Sequence, residues 1–179
     1  MNADELTALA RSAGTGNVDA ATRFVRATQA EVWRLCAALG VRGDADDLTQ
    51  ETYLRAFQAL PRFAGRASAR TWLLAIARRV CVDSLRSQRR RPGLEPERTP
   101  LEVEPAAPDV GEGVAIRGLI RELDPDRREA IVLTQSLGLS YAEAAEVCGC
   151  PVGTIRSRVA RARDDLVTWL ADDEEVGSA

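Results

Sequence analysis

The stretch LGLSYAEAAEVCGCPVGTIRSRVARARDDL, residues 137–166, decides the fold class. Ser140 stands before a helical pattern and Glu143 follows three residues later, the reciprocal pair that closes a helix's first turn. The helical pattern runs over Tyr141–Val147, and Cys148-Gly149-Cys150 makes a tight turn. Pro151 then opens a second helix from Val152, since proline is tolerated where the first N–H has no partner. Two short helices joined this way form a helix–turn–helix, with Ala144, Ala145, Val147, Val152, Ile155, Val159 and Ala162 as its small core. The opposite face of the second helix carries Thr154, Arg156, Ser157, Arg158, Arg161 and Arg163. Arginine can bond guanine edges and hydroxyls can reach bases or phosphates, while the positive end of the helix dipole attracts phosphate. The bland alternative is a solvated arginine face. Against it, no acidic residue alternates with these arginines until Asp164 and Asp165.

Working outward, Val114–Leu123 and Arg127–Leu137 read as two further helices of the same block. Asp124-Pro125 begins the second of these and Gly138 ends it. Upstream, PGLEPERTPLEVEPAAPD (92–109) is rich in Pro and Glu without apolar periodicity, which is the composition of an extended linker. Before it, three helical patterns span Val18–Leu39, Ala45–Leu60 and Ala69–Arg90. Gly40 and Gly43 close the first, Asp44 caps the second, Pro61 ends it, and Ser68 caps the third. The expected architecture is all-α: two small helical domains, 1–91 and 113–171, joined by an acidic linker 92–112 and followed by an acidic tail 172–179.

Charge agrees with this division. All 24 basic residues are Arg, and the net charge of −3 hides a strong asymmetry. Residues 1–91 carry +6, residues 92–126 carry −6, residues 127–165 carry +1 and residues 166–179 carry −4. No apolar run approaches the roughly 18 residues of a membrane span, and MNADELTALARS lacks the layout of a secretory leader, so a cytoplasmic, membrane-independent protein is expected. Cys36, Cys81, Cys148 and Cys150, with no His and no C-x-x-C, make a poor metal or disulfide framework and are expected to be incidental thiols.

The first block carries two patterned surfaces. On the Ala45–Leu60 helix, Ala45, Leu48, Thr52, Tyr53, Ala56 and Leu60 share one side, while Asp46, Asp47, Gln50 and Glu51 share the other. Leu54 sits among those acids, and an apolar spot with a charged rim is what an interface shows; one exposed Leu on an ordinary amphipathic helix is the alternative. On the next helix, Leu73, Ile76, Ala77, Val80 and Ser84 fall on a buried side. Thr71, Arg78, Arg79, Arg86, Arg89 and Arg90 form a basic stripe bordered by Trp72. Such a stripe can follow phosphates, and the indole can stack on an unpaired base or pack in the core.

These motifs resemble a known family. The run GLSYAEAAEVCGCPVGTIRSRVARAR resembles region 4.2 of extracytoplasmic-function sigma factors, GDADDLTQETYLRAFQALPRF resembles sigma region 2.2, and ARTWLLAIARRVCVDSLRSQRRRP resembles regions 2.3 and 2.4. Within that family, SARTWLLAIAR and VCGCPVGTIRSRVARARD resemble the actinobacterial sigma factor C subgroup. The resemblance implies a sigma region 2 bundle and a sigma region 4 helix–turn–helix that bind core RNA polymerase and direct it to promoter DNA. It implies docking on the β′ clamp helices through Asp46, Asp47, Gln50, Glu51 and Leu54, with further contact to the β subunit. It places the −10 element at Phe63, Arg66, Ser68, Thr71, Trp72, Arg78, Arg79 and Arg86, the loop 62–68 capturing a flipped base. It places the −35 element at Tyr141, Thr154, Arg156, Ser157, Arg158 and Arg161. An anti-sigma partner is compatible with it, and Glu95, Glu97, Glu102 and Glu104 in the linker are expected to act as a transient RNA mimic.

Other classes are less well served. A helix–turn–helix regulator that never docks on polymerase accounts for residues 137–166 but not for the acid-rimmed Leu54. An enzyme is the third class and fares worst on chemistry: there is no His or Lys, no glycine-rich phosphate loop, and no clustered catalytic carboxylates beyond the docking face. No catalytic residue, metal, cofactor or small-molecule substrate is expected.

Overall fold

The computed structural model describes residues 1–40, 43–90 and 118–176, and every regular element among them is helical. The linker with its four glutamates lies outside the described residues, as does the start of the Val114–Leu123 pattern.

The first domain holds four helices: α1 (Ala3–Gly14), α2 (Val18–Leu39), α3 (Ala45–Ala59) and α4 (Ala69–Arg89). Helix α1 was not anticipated. It starts with a capping box, Asn2 Oδ1 accepting the Glu5 N–H at 2.8 Å and Glu5 accepting the Asn2 N–H at 3.1 Å. Its inner face buries Leu6 and Ala10. In α2, Phe24, Val32, Leu35 and Cys36 are wholly buried, and Asn17 caps the helix at the Ala20 N–H. Thr28 lies in the same stripe, and its hydroxyl meets the Phe24 carbonyl at 2.8 Å and the Tyr53 hydroxyl at 2.7 Å. Burial pushes Tyr53 up to about 12. At the end of α2, Gly40 is required by close approach: a Cβ there would collide with the Leu48 side chain and stand 2.7 Å from the Cys36 oxygen.

Two punctuation marks differ from expectation. Asp44 precedes α3 but makes no side-chain cap; its carboxylate accepts from Gln88 Nε2 of α4 at 2.9 Å. Pro61 does not stop α3 abruptly, because the chain tightens into a 3₁₀ turn, Leu60–Arg62, that keeps Leu60 buried. Ser68 caps α4 as expected, accepting from the Thr71 N–H at 3.1 Å.

The second domain comprises helical residues 118–122, α5 (Pro125–Ile131), α6 (Tyr141–Cys148) and α7 (Val152–Val176). Asp124 caps α5 at the Asp126 N–H. Past Ile131 the helix widens, Leu137 N–H bonding the Val132 carbonyl five residues back at 3.0 Å, until Gly138 leaves it at φ +68°. The capping box at Ser140 and Glu143 is present, and Gly149 makes the turn at φ +65°, a left-handed conformation that favours glycine. Ser140's bonds to Glu143 hold that carboxylate below its usual range. Helix α7 runs past the expected Leu170, so the acidic tail begins as helix.

The domains pack against each other, α6 lying along α4 and α5 reaching α2. Arg78 of α4 pairs with Glu129 of α5, which is only 4% exposed. Arg70 forks onto Glu31 at 2.8 and 3.0 Å and also donates to the Leu137 carbonyl, and Arg121 Nη2 donates to the Ala37 carbonyl at 3.3 Å. The four cysteines are free thiols: Cys36 and Cys81 are buried at the α2–α4 contact, Cys148 and Cys150 half-buried around the turn.

Candidate nucleic-acid interface and docking face

On α3, Asp46, Asp47 and Gln50 are exposed, Leu54 is 54% exposed, and Glu51 is half-buried. The acids are not all free. Asp46 accepts the Trp33 indole N–H at 2.9 Å, and Glu51 pairs with Arg55 at 2.7 Å, which also holds Asp83 at 2.8 Å. The face is broader than the sequence suggested, because α2 supplies its other wall. Trp33, Leu54 and Phe57 expose 36%, 54% and 40% of their surfaces around a groove of about 340 Å³, with Val25 and Tyr53 on its floor. Three large apolar side chains exposed in one groove with a polar rim are what a protein-docking site shows. Trp33 and Phe57 were missed. Trp33 was legible only as an aromatic outside the α2 core stripe, and its neighbour is set by tertiary packing.

The predicted −10 residues divide into three groups. Phe63 and Trp72 are half-buried against each other, ring centroids 4.9 Å apart and tilted by 45°, and both pack on the core. Trp72 is thus both core and rim. Arg66, Arg79 and Arg86 are exposed. Ser68 is occupied as a cap, and Thr71 is 3% exposed with its hydroxyl 2.9 Å from that of Ser68. The place of Thr71 in an open basic stripe is therefore corrected. Thr71, Leu74 and Arg78 recur at i, i+3 and i+7 and share a face; Arg78 pairs with Glu129 there, so the second domain covers that side of α4. Arg79 and Arg86 keep the remaining stripe open.

In the second domain, Arg156, Ser157 and Arg161 are exposed on α7, as expected for a groove-reading helix, and Thr154 is half-buried behind them. Ser157 Oγ donates to the Thr154 carbonyl at 2.9 Å. Arg158 pairs with Asp126, and Arg163 donates to Gln135 at 3.0 Å, which ties α7 to the preceding helices. Tyr141 is half-buried and packs against the core. Ile155, Val159 and Ala162 form the inner face, whereas Val152 is 40% exposed rather than core. Among the described residues no group of three or more Cys, Asp or Glu is placed to hold a metal, and no helix is long and apolar enough to cross a membrane.

Comparison with known proteins finds matches to both domains. Residues 24–91 match sigma-70 region 2, and residues 113–166 match sigma-70 region 4. The probable RNA polymerase sigma-C factor of Mycobacterium bovis is 53% identical over 97% of this chain and 96% of its own length. The ECF RNA polymerase sigma-E factor of Haemophilus influenzae is 32% identical over 90% and 94%. Among solved structures, CnrH in complex with the cytosolic domain of CnrY aligns with a TM-score of 0.74 and 28% identity, covering 96% of this chain and 99% of that one. The sigma factor RpoE from Bartonella quintana, in complex with the anti-sigma factor NepR, aligns with a TM-score of 0.75 and 27% identity over 86% and 98%. With both sigma regions present in order, and likeness running the length of the chain, the protein belongs to the extracytoplasmic-function sigma factors, of the sigma-C type, which direct RNA polymerase to specific promoters.

Proposed function

We propose that the groove between α2 and α3 grips the clamp helices of the polymerase β′ subunit, with Leu54, Trp33 and Phe57 as apolar anchors and Asp47 and Gln50 on the rim. Arg79 and Arg86 then follow the −10 phosphates, while Phe63 and Trp72 part to receive an unpaired base, whose extrusion costs a few kcal/mol that stacking offsets. Helix α7 reads the −35 element in the major groove through Arg156, Ser157 and Arg161. Family members carry no catalysis themselves, and the work done is binding energy directed at one DNA sequence.

Carrying this reading is the coexistence, in one chain, of an exposed apolar groove and two separate arginine faces on different domains. The two elements lie about 25 base pairs apart, or about 85 Å of duplex at 3.4 Å per step. A compact chain of this size is only about 40 Å across, well short of that distance. The 27 residues 91–117 can reach about 90 Å when extended, so the domains separate on promoter DNA and Arg78 exchanges Glu129 for phosphate. An anti-sigma partner, like that bound to the Bartonella relative, would compete for the groove or for the open side of α4.

The test is a pull-down of purified core polymerase by the full chain and by a Leu54→Glu, Trp33→Ala variant. Retention by the wild type and loss by the variant support the docking reading; equal retention refutes the groove as the contact.

A further inference from the structure

Helix α1 forms a polar cleft with the loop that precedes α4. The cleft holds about 380 Å³ and is bounded by Asp4, Thr7 and Arg11 on α1 and by Gly65, Arg66 and Ser68 on the loop. Positions 4, 7 and 11 recur at i, i+3 and i+7, so they share one helix face, while Leu6 and Ala10 hold the other face in the core. Two observations show that this contact is built into the fold. Thr7 Oγ1 accepts the buried Ala69 N–H at 3.2 Å, tying α1 to the first residue of α4, while donating to the Ala3 carbonyl at 2.8 Å. Gly65 stands at φ +68° with the Arg11 guanidinium packed on it: a Cβ there would collide with Nη2 and stand 3.0 Å from Cζ. Ala3, Ala8 and Ala67 complete the lining and contribute almost no side-chain bulk, which keeps the cleft open.

The chemistry of this lining is that of a nucleobase site. Asp4 presents an acceptor that suits the exocyclic amine of cytosine or adenine, and Arg11 and Arg66 present planar donors that bond base edges or stack on base faces. Asp4, Arg11 and Arg66 are all exposed. We infer that α1 is a specificity-determining wall of a second −10 base pocket, on the other side of the loop from the Phe63–Trp72 pair: the cleft between α1 and the loop takes a further unpaired base of the opened strand, Asp4 selecting a base with an exocyclic amine and Arg11 holding its edge or face. This rests on the reading that the loop 62–68 captures promoter bases, and it adds a partner helix that the loop alone does not supply.

The test uses holoenzyme assembled from the full chain and purified core. Labelled single-stranded oligonucleotides, carrying the non-template sequence of a promoter the holoenzyme transcribes, are substituted with each of the four bases across the −10 element. Anisotropy should show one position where C or A binds about tenfold better than T or G. Asp4→Asn, an isosteric change at an exposed position, should reduce that preference to within about twofold. Arg11→Gln should weaken binding about tenfold at that position with core binding unchanged. Wild-type preference left intact by both variants overturns the inference while leaving base capture by the loop standing. A loss on Arg11→Gln that persists when that position is made abasic also overturns it, making Arg11 a phosphate contact. No base preference anywhere in the wild type overturns the loop reading itself.

Discussion

Glu129→Gln tests the link between the two domains. The carboxylate is 4% exposed and faces Arg78 across the domain boundary, and the substitution keeps its shape while removing its charge. Removing one partner of a fully buried ion pair costs about 3–5 kcal/mol, because the other charge is left without water or partner. The Arg78 side chain keeps 25% of its surface accessible, so solvent screening reduces the penalty to about 1–3 kcal/mol. In the separated state Arg78 returns to water and Glu129 keeps only its neighbour Cys148 in its own domain, so the substitution costs little there. The penalty therefore falls mainly on the closed form, which shifts the closed–open balance about 5- to 150-fold toward open. Energy transfer between dyes at exposed Gln58 on α3 and Thr168 on α7 reads the balance directly in the free protein. Efficiency should fall in Glu129→Gln, and binding of a −10 oligonucleotide by the free chain should strengthen, since α4 is uncovered. Unchanged transfer efficiency and unchanged binding refute the claim that this pair holds the domains together.

Other outcomes follow from the same structure. Leu54→Glu should weaken core polymerase binding by about 2 kcal/mol, as expected for a central apolar anchor, with thermal stability unchanged because Leu54 is exposed; titration of labelled core measures the first and a melting curve the second. Arg156→Ala should weaken −35 duplex binding by about 1–3 kcal/mol and relax preference at one base pair if the guanidinium bonds a base bidentately; loss uniform over all sequences assigns it to phosphate. Burial raises Tyr53 to about 12 in the folded state against about 10 unfolded. Its protonated form is favoured by folding, so this stability is fully present below pH 10 and is lost as the pH rises toward 12. The amount is on the order of 2–3 kcal/mol. Urea unfolding at pH 7, 10 and 11.5 should show that alkaline slope in the wild type and a shallower one in Tyr53→Phe.

Much of the fold was legible because local signals agreed with one another. The predicted limits of Val18–Leu39 match those of α2, since Asn17 and Gly40 bracket an unbroken apolar stripe. The helix–turn–helix was legible for the same reason, the Ser140–Glu143 box and Gly149 fixing its two critical turns. Helix α1 carried an equivalent signal, Asn2 and Glu5 followed by Leu6, Leu9, Ala10 and Ala13, but the stretch is short and half of its apolar stripe is alanine, which makes the pattern weak. What a single sequence could not display was contact between elements distant in the chain. Asp44 fails as a cap because Gln88 takes its carboxylate. Thr71 leaves the basic stripe because its face of α4 turns toward Glu129, whose burial nothing local in the sequence announces. Trp33 and Phe57 join the docking groove only when α2 and α3 pack side by side.

Run-off transcription tests the central claim most directly. Purified core polymerase, with and without the full chain, is incubated with fragments of the source genome and the transcripts are sequenced from their 5′ ends. Promoter direction by this chain predicts transcripts that appear only when it is present and whose start sites share one −35 and one −10 sequence. Leu54→Glu in place of the wild type should need about thirtyfold more protein to give the same transcripts. Transcripts identical with and without the chain, despite its binding to core, would contradict the account.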